Sequence, residues 1–479
     1  GVTVSIAYML FPKMEYLPQG NRDLIINIMI PPPGLSYEER ERIGYQLFEY
    51  LGPYMGEEEH NGYPGITRIF YVGREETMIM GVISADQQRT RDLIPLCRQA
   101  MAQIPGVFGI SNQVGIFQTG LGKGRTIDVN ISGNDINHLA GVAGAMFGQI
   151  NGAIEDVQIR PLPSLDLMFP EANFVPERER LRSVGMSARQ FGIGLDVLMD
   201  GRDVGDFKQE GEKKIDLVVK ASEDEVTTPE ELYQSLLVTP MGESVPVASL
   251  AEMEKTTGLT EIRHLERNRT ISLQVTPPYS ITIQEAMERI QQQVLPAMRE
   301  QGMLEGVTVG MSGTADKLTD TRRALQWNFL LAAIIVYLLM AALFGNFLYP
   351  FIIMFTVPLA GAGGLLGLKL VNLFVAPQQL DILTMLGFII LVGIVVNNAI
   401  LIVYQSLNNI REGGMEHKEA IVEATRTRLR PIYMSATTSI FGMLPLVLWP
   451  GPGSELYRGL GSVVLGGLAL STIFTVFLI

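Results

Sequence analysis

The stretch that decides the class of fold is ILTMLGFIILVGIVVNNAILIVYQ, residues 382–405. It is long enough to cross a bilayer as a helix, which takes about 20 apolar residues. Two amides, Asn397 and Asn398, lie well inside it. Polar groups at that depth are costly and normally face a bundle interior or a hydrated path, although they can also only join helices by hydrogen bonds. The stretch predicts a membrane protein whose amide pair serves either transport or helix packing.

The composition divides the chain into a soluble part and a membrane part. Of its 479 residues, 47% are hydrophobic and 18% are charged, but the apolar runs fill the last third and residues 13–325 read as soluble. The net charge of −13 argues against a nucleic-acid partner. The single cysteine, Cys97, excludes an internal disulfide. Because Gly1 and Ile479 both lie inside apolar runs, we expect a fragment of a longer membrane protein.

Repeated β-α-β patterns predict the architecture of the soluble part. In the first unit a strand at 24–30 precedes a helix at 37–51, which Ser36 caps, and paired strands follow at 66–72 and 77–84. A second unit has a strand at 127–131 and a helix at 136–153, and a later region holds a hairpin at 201–219. Units of this size indicate ferredoxin-like α+β modules.

Five apolar spans predict a bundle of membrane helices, at about 327–343, 347–374, 382–405, 431–449 and 460–479. The segment 408–430 carries five cations, whereas the loops 375–381 and 450–459 carry only Arg458. The positive-inside rule puts segment 408–430 in the cytoplasm. Counting spans backward then puts residues 13–325 on the opposite side, which in a diderm bacterium is the periplasm.

Several motifs in a fixed order resemble one known family. They are LPQG at 17–20, GTADK at 313–317, ALFGNFLYPF at 342–351, GIVVNNAILIV at 393–403 and RLRPIYMSATT at 428–438. Over essentially all of its length the chain resembles the C-terminal half of a resistance–nodulation–division (RND) efflux transporter of the hydrophobe/amphiphile branch, the inner-membrane permease subunit. The last two motifs carry the resemblance best because they combine with the topology.

The resemblance implies an α+β membrane protein with ferredoxin-like periplasmic porter subdomains, an inserted docking subdomain and a transmembrane helix bundle. Residues 1–12 would end the seventh helix, and the five later spans would be helices eight to twelve. Residues 20–120 would form one porter subdomain, and 121–164 with 267–317 another. The docking subdomain would be 165–266, with a hairpin that includes Gly201, Asp206, Phe207 and Gly211 and reaches toward a neighbouring subunit.

The resemblance also implies a function and partners. Family members are proton antiporters rather than enzymes, need no cofactor beyond the proton-motive force, and export small amphiphilic substrates. They lie in the bacterial inner membrane as homotrimers, in contact with lipid. A periplasmic adaptor protein and an outer-membrane channel complete the pump.

Four residues are candidates for a proton relay: Asn397, Asn398, Ser435 and Arg428. The family's proton-binding aspartate pair lies on its fourth helix, outside this chain. Related drug pumps have a lysine where Asn397 stands and a threonine where Ser435 stands. Because asparagine cannot hold a positive charge, the role of that lysine cannot be carried over. Arg428 matches a family arginine at the cytoplasmic entrance, but it is also explained as a positive-inside anchor.

Four residues on a predicted strand pair are candidates for a substrate pocket: Phe70, Tyr71, Met78 and Met80. Aromatic and methionine side chains adapt to apolar ligands of different shape. Ordinary packing under the sheet is the alternative for each of them. Since side chains alternate along a strand, only one face of it can line a pocket.

Other functions fit parts of the pattern. The 23 methionines make the heavy-metal branch of the superfamily an alternative, because thioethers bind Cu(I). However, no dense Met cluster, CxxC or HExxH pattern occurs, and the four histidines lie far apart in sequence, so no metal site is expected. A lipid exporter is a further alternative, and a membrane-anchored periplasmic scaffold or sensor is one from another class. Proton-dependent efflux by the full-length protein separates a scaffold from a pump.

Overall fold

The computed structural model describes residues 12–478, except 19, 21, 33–34, 75–76, 117–123, 166–167, 200, 223–225, 227, 260 and 450–453. The predicted end of a seventh helix therefore lies almost entirely outside the described residues. The chain divides into two compact units: residues 166–261 form one, and the remainder of the chain forms the other.

The first module is a four-stranded antiparallel sheet covered by two helices. Its order along the chain is β-α-β-β-α-β, and the strands lie in the order β2-β3-β1-β4, the split βαβ arrangement of ferredoxin-like folds. Its elements are β1 (Leu24–Ile30), α1 (Tyr37–Leu51), β2 (Ile66–Gly73), β3 (Met78–Ser84), α2 (Leu93–Ala102) and β4 (Phe108–Gln113). The Ser36 hydroxyl caps α1 by accepting a hydrogen bond from the Glu39 amide.

The second module repeats the scheme around a five-stranded sheet. Strands β13-β14-β5-β15 lie in that order, and β6 pairs with β14. Its elements are β5 (Ile127–Gly133), α3 (Ile136–Ala153), β6 (Gln158–Leu162), β13 (His264–Leu265), β14 (Asn268–Thr276), α7 (Ile283–Arg289), α8 (Leu295–Glu300) and β15 (Thr308–Gly313). The Gln158 amide joins the two modules, because it accepts from Ser111 N (2.9 Å) and donates to Ser111 O (3.0 Å) on β4.

The unit of residues 166–261 is built on the long antiparallel pair β7 (Met168–Pro176) and β12 (Ala251–Leu259). It also contains α4 (Arg178–Ser183), α5 (Ala188–Met199), α6 (Pro229–Gln234), the hairpin β8 (Arg202–Phe207) and β9 (Ile215–Val219), and the short pair β10 (Leu236–Val238) and β11 (Ser244–Pro246). Leu181, Phe191 and Leu250 lie in its core. Strand β12 was not predicted, because its polar composition hides its alternation.

Five helical segments in the described chain are long and apolar enough to cross a membrane. They comprise α9 (Thr314–Phe344), α10 (Leu348–Met354) followed by α11 (Thr356–Phe374), α12 (Ile382–Arg411), α13 (His417–Leu448) and α14 (Ser454–Leu478). The segment 408–430, expected as a loop, is helical apart from 412–416. Helix α9 likewise begins well before the expected residue 327. Hydropathy marks where a chain enters the membrane, not where its helix begins.

Helices α11 and α14 approach each other closely because glycines line their contact. A Cβ atom at Gly367 would lie 2.5 Å from the Ser462 carbonyl oxygen and 2.8 Å from Gly466 Cα. Gly363 faces the same partner helix at a similar distance. Small residues let membrane helices pack backbone against backbone, so this contact fixes the centre of the bundle.

We predict that Gly367→Ala destabilises the bundle by about 1–3 kcal/mol, the usual cost of overpacking. The matched control is Gly361→Ala on the same helix, where an added Cβ meets no atom within 4 Å. Thermal unfolding of the detergent-solubilised protein measures both variants. Equal melting temperatures for the two would contradict the close contact.

Candidate functional site

The two amides of α12 do not share a face. Consecutive residues of a helix point about 100° apart. Accordingly, Asn398 is 5% exposed and packs inside the bundle, whereas Asn397 lies exposed on the bundle surface of the described chain. Asn398 is therefore placed for helix packing, and Asn397 is placed to meet another segment.

The two candidates on α13 differ in the same way. Ser435 is exposed, and no hydrogen bond in the described part of the chain joins it to Asn397 or Asn398. Arg428 is half-buried and donates to Gln405 Oε1 on α12, at 3.2 Å from Nε and 2.6 Å from Nη2. Gln405 in turn donates to Asn409 Oδ1 at 2.9 Å. Gln405 was not among the predicted site residues, although the sequence shows a second polar residue, Asn409, one helical turn after it.

The register of the first sheet separates the pocket candidates into two faces. Phe70 pairs with Gly81, which pairs with Ile26. Phe70 is 41% exposed, and its ring covers the position of a Cβ at Gly81. Its neighbour Tyr71 points the other way, packs against the core and donates to the Arg40 carbonyl oxygen at 2.7 Å.

Met78 and Met80 lie on the helix-covered face of the same sheet. Both side chains are fully buried in the core of the first module. The expectation that they line a pocket therefore finds no support in the structure, because a ligand would have to open the core to reach them. The sequence predicts that alternate residues of a strand face opposite sides of the sheet, as they do. It does not show which of the two sides the helices cover.

A cavity of about 450 Å³ lies where the two modules meet. One wall is the open face of the first sheet, and its apolar side chains are Leu24, Ile26, Ile28 and Ile110. This is the face that Phe70 extends, since Phe70 and Ile26 lie in one cross-strand row. The cavity thus has an apolar floor of the kind that small-molecule sites use.

The cavity lining also carries several cations. They are Arg22, Arg91, Arg98 and Arg125, with Asp156 as the single carboxylate among the described lining residues. Arg91 Nε donates to Gln113 Oε1 at 2.8 Å, and its guanidinium stacks 4.2 Å from the centre of the Tyr279 ring. Since these contacts leave the charge of Arg91 uncompensated, the rim of the cavity attracts anions.

Beside this cavity, the Glu15–Arg125 ion pair is buried at the junction with the membrane helices. Arg125 Nε lies 3.0 Å from Glu15 Oε2, and the two side chains are 5% and 2% exposed. Arg125 also donates to the carbonyl oxygens of Pro277 (2.6 Å), Pro278 (2.9 Å) and Ile281. Burial raises the pKa of Glu15, an effect that the Arg125 charge opposes.

The segment that carries Glu15 also pairs with the start of α12. Glu15 N donates to the Leu380 carbonyl oxygen at 2.9 Å, and Ile382 N donates to that of Tyr16 at 3.3 Å. Asp381 between them caps α12, because its Oδ1 accepts from Thr384 N (2.7 Å) and Thr384 Oγ1 (2.8 Å). Burial raises the pKa of Asp381 to about 6. Its signal in the sequence was an Asp three residues before a Thr at a helix start.

The hairpin candidates lie on one strand and in its turn. Gly201 precedes β8, Asp206 and Phe207 end it, and Gly211 lies in the turn. Both strands are exposed on both faces, and Lys214 Nζ lies 2.6 Å from Asp206 Oδ1. The hairpin spans Arg202–Val219, within the range 201–219 expected from the sequence, and residues 208–214 form its turn.

The two ferredoxin-like modules, the added unit and the bundle of apolar helices define a membrane transport protein of the RND class. The model of the AcrB/AcrD/AcrF family matches residues 1–479. The chain belongs to that family, which confirms the resemblance and the α+β membrane fold. It is a multi-pass protein of the inner membrane with a large periplasmic domain.

The individual relatives have low sequence identity to this chain, and they are longer than it is. The swarming motility protein SwrC of Bacillus subtilis is 27% identical over 372 residues, 76% of this chain and 34% of SwrC. The multidrug resistance protein MdtC of Erwinia amylovora is 32% identical over 246 residues, 51% of this chain and 23% of MdtC. The crystal structure of a heavy metal efflux pump matches this chain with a TM-score of 0.78 and 22% sequence identity. The match covers 100% of this chain and 49% of the pump chain. That likeness shows the shared fold.

We predict that Arg125→Met lowers the free energy of unfolding by about 3–5 kcal/mol, because it leaves the Glu15 carboxylate buried without a cation. Arg89→Met is the control. Arg89 forms exposed ion pairs with Glu59 and Asp92, which solvent screens, so its loss costs much less than that of Arg125. Thermal unfolding compares them, and equal losses would contradict a structural role for the buried pair.

Proposed function

We propose that the full-length protein is a proton-driven efflux permease that exports amphiphilic compounds. The observation that carries the proposal is the cavity between the two modules, with its apolar floor and cationic rim. Membership of the AcrB/AcrD/AcrF family supports it, and the chain covers about half of the length, 49%, of the solved heavy metal pump that it matches. The test is efflux of a dye by cells that carry the full-length protein, with and without a proton gradient.

In this proposal the cavity receives the substrate. An amphiphile lays its apolar part on Leu24, Ile26 and Ile28 and turns its polar end toward Arg91 and Arg98. The unpaired positive charge there favours anionic or zwitterionic head groups over cationic ones. Phe70 extends the apolar floor and takes part in binding, whereas Tyr71 serves the core.

We predict that Phe70→Ala changes the range of exported compounds with normal protein levels, because the side chain is exposed on the cavity face of the sheet. Tyr71→Ala instead lowers stability, since it removes core packing and the hydrogen bond to the Arg40 carbonyl oxygen. Efflux assays together with immunoblots distinguish the two. The same substrate-specific loss in both variants, at normal protein levels, would count against this division.

The proton step is proposed to involve Asn397 on α12 and Ser435 on α13, which are both exposed on the surface of the bundle. Neither group titrates near neutral pH, so at this depth of the bundle the proton would reside on carboxylates in the part of the full-length protein beyond this chain. Asn397 and Ser435 then offer hydrogen bonds and hold water. Asn398 supports the helix packing from inside, and Arg428 holds the cytoplasmic ends of α12 and α13 together through Gln405.

We predict that Asn397→Leu abolishes proton-coupled efflux without loss of protein, because an exposed leucine removes the amide but disturbs no packing. Asn397→Asp also fails, by adding a like charge beside the acidic partners. Asn398→Leu is the contrasting variant, and it lowers the amount of folded protein. If Asn397→Leu pumped as well as the parent, Asn397 would have no part in the relay.

We further propose the assembly that the family implies: a homotrimer that works with a periplasmic adaptor and an outer-membrane channel. The exposed β8–β9 hairpin supports it, because Val204, Phe207 and Ile215 are each more than half exposed. Apolar side chains on a free hairpin are suited to contact a neighbouring subunit. Deleting the hairpin is the direct test of its part in trimer assembly.

Heavy-metal export draws less support. The likeness to the heavy metal pump is one of fold, and Met78 and Met80 lie in the core. The described residues also contain no group of three or more His, Cys, Asp or Glu side chains that could share a metal ion. A scaffold or sensor would show no proton-dependent efflux in the dye assay, and a lipid exporter would move labelled lipid but not the dye.

A further inference from the structure

A second, smaller cavity of about 180 Å³ lies at the junction of the modules with the outer ends of the helices. Arg458, on the first turns of α14, lines it and is only 5% exposed. Its Nε has no hydrogen-bond partner in the described part of the chain. A buried N–H group without a partner is costly, so Arg458 would gain from an acceptor that entered this cavity.

Asp381 lines the same cavity from the N-terminus of α12. Both hydrogen bonds from Thr384 go to Oδ1, so neither of them occupies Oδ2. The two helices touch at this point, because a Cβ atom on Gly459 would lie 2.1 Å from Thr384 Oγ1. Arg458 and Asp381 therefore line one cavity from adjoining backbones, and the described part of the chain shows no ion pair between them.

Asp381 also lies on the direct connection between α12 and the modules. Its neighbours Leu380 and Ile382 bond to the segment of Glu15, and Glu15 bonds to Arg125. Gln379 Nε2 donates to the Tyr279 carbonyl oxygen at 3.0 Å. A movement of the backbone at Asp381 would therefore be transmitted to α12, which carries Asn397, and to Tyr279 in the wall of the larger cavity.

We propose that Asp381 is a proton-binding site at the outer mouth of the bundle, and that its ionisation recruits Arg458. With the proton on Oδ2, the cavity stays open and Arg458 stays unpaired. When the proton leaves to the outer solvent, the guanidinium moves onto the carboxylate and closes the cavity between α12 and α14. The proposal rests on the proposed proton coupling only in its transport test.

The charged surroundings decide the sign of this switch. Burial, and after it the charge of Glu15, raises the pKa of Asp381 to about 6 while Arg458 is unpaired. Recruiting Arg458 lowers that pKa, so protons favour the open cavity and their loss favours the closed one. The titratable and charged groups that line the cavity with Asp381 are Glu15, Arg91, Tyr279, Glu455 and Arg458, and Arg125 is paired with Glu15 behind them.

The first test is the pH dependence of thermal stability in the purified full-length protein. A carboxyl whose pKa is higher when folded than when unfolded binds more protons in the folded state, so its contribution to stability falls as pH rises from about 4 to about 6. The difference between the parent and Asp381→Asn isolates this fall. A pH-independent difference between the two would overturn the proposal.

The second test separates the switch from simple burial. Arg458→Gln removes the recruited cation, so the midpoint of that pH dependence moves upward by at least about half a pH unit. Lys13→Met is the control, since Lys13 forms an exposed pair with Glu288 on the same connecting segment. It leaves the midpoint in place. An unchanged midpoint in Arg458→Gln would show that Arg458 is not recruited.

The transport test uses dye efflux at varied external pH. In the parent we expect an inflection near the midpoint of the stability profile, and its loss in Asp381→Asn at normal protein levels. An inflection unchanged by Asp381→Asn would overturn the coupling of this site to transport. If the parent shows no proton-dependent efflux at all, the proposed function fails, and the two stability tests still decide whether Asp381 and Arg458 form a switch.

Discussion

The buried pair of Glu15 and Arg125 is the constraint on which the meeting of membrane and soluble parts depends. A charge removed from water needs a partner and a full set of hydrogen bonds, and Arg125 meets this demand by holding three backbone carbonyl groups as well as the carboxylate. These contacts bring together three stretches that are far apart in sequence: the segment of Glu15, the residue before β5, and the turn after β14. Glu15 lines the smaller cavity and Arg125 lines the larger one, so this cluster of contacts helps to shape both.

Much of the fold could be predicted because its elements carry strong periodic patterns. The bounds expected for β1, α1 and α3 agree with the structure, since each pairs a clear apolar period with a capping or turn residue. Predicting β12 failed because its two faces are both largely polar. The starts of α9 and α13 were missed because the polar residues before Trp327 and Pro431 continue the helix outside the bilayer, where hydropathy carries no information.

The site was harder to predict than the fold, for a physical reason. Alternation shows that Phe70 and Tyr71 face opposite ways, but only the packing of α1 and α2 decides which side is the core, and that decision moved Tyr71, Met78 and Met80 away from the cavity. Depth within a span likewise found Asn397 and Asn398 without showing that one faces out and the other in. Pairings such as Glu15 with Arg125 join residues more than one hundred positions apart, and one sequence holds no trace of them.

Helix α9 has a consequence for how motion passes through the molecule. It follows β15 at Gly313 without a linker and continues unbroken to Phe344, a rod of about 46 Å at 1.5 Å per residue. Its base is fixed to the second module, where Thr314 Oγ1 donates to the Gly124 carbonyl oxygen at 2.8 Å. Most of its membrane portion is not covered by the rest of the described bundle. It therefore has the mechanics of a lever: a small tilt of β15 at its base becomes a displacement of several ångströms at its far end, with no flexible joint to absorb it.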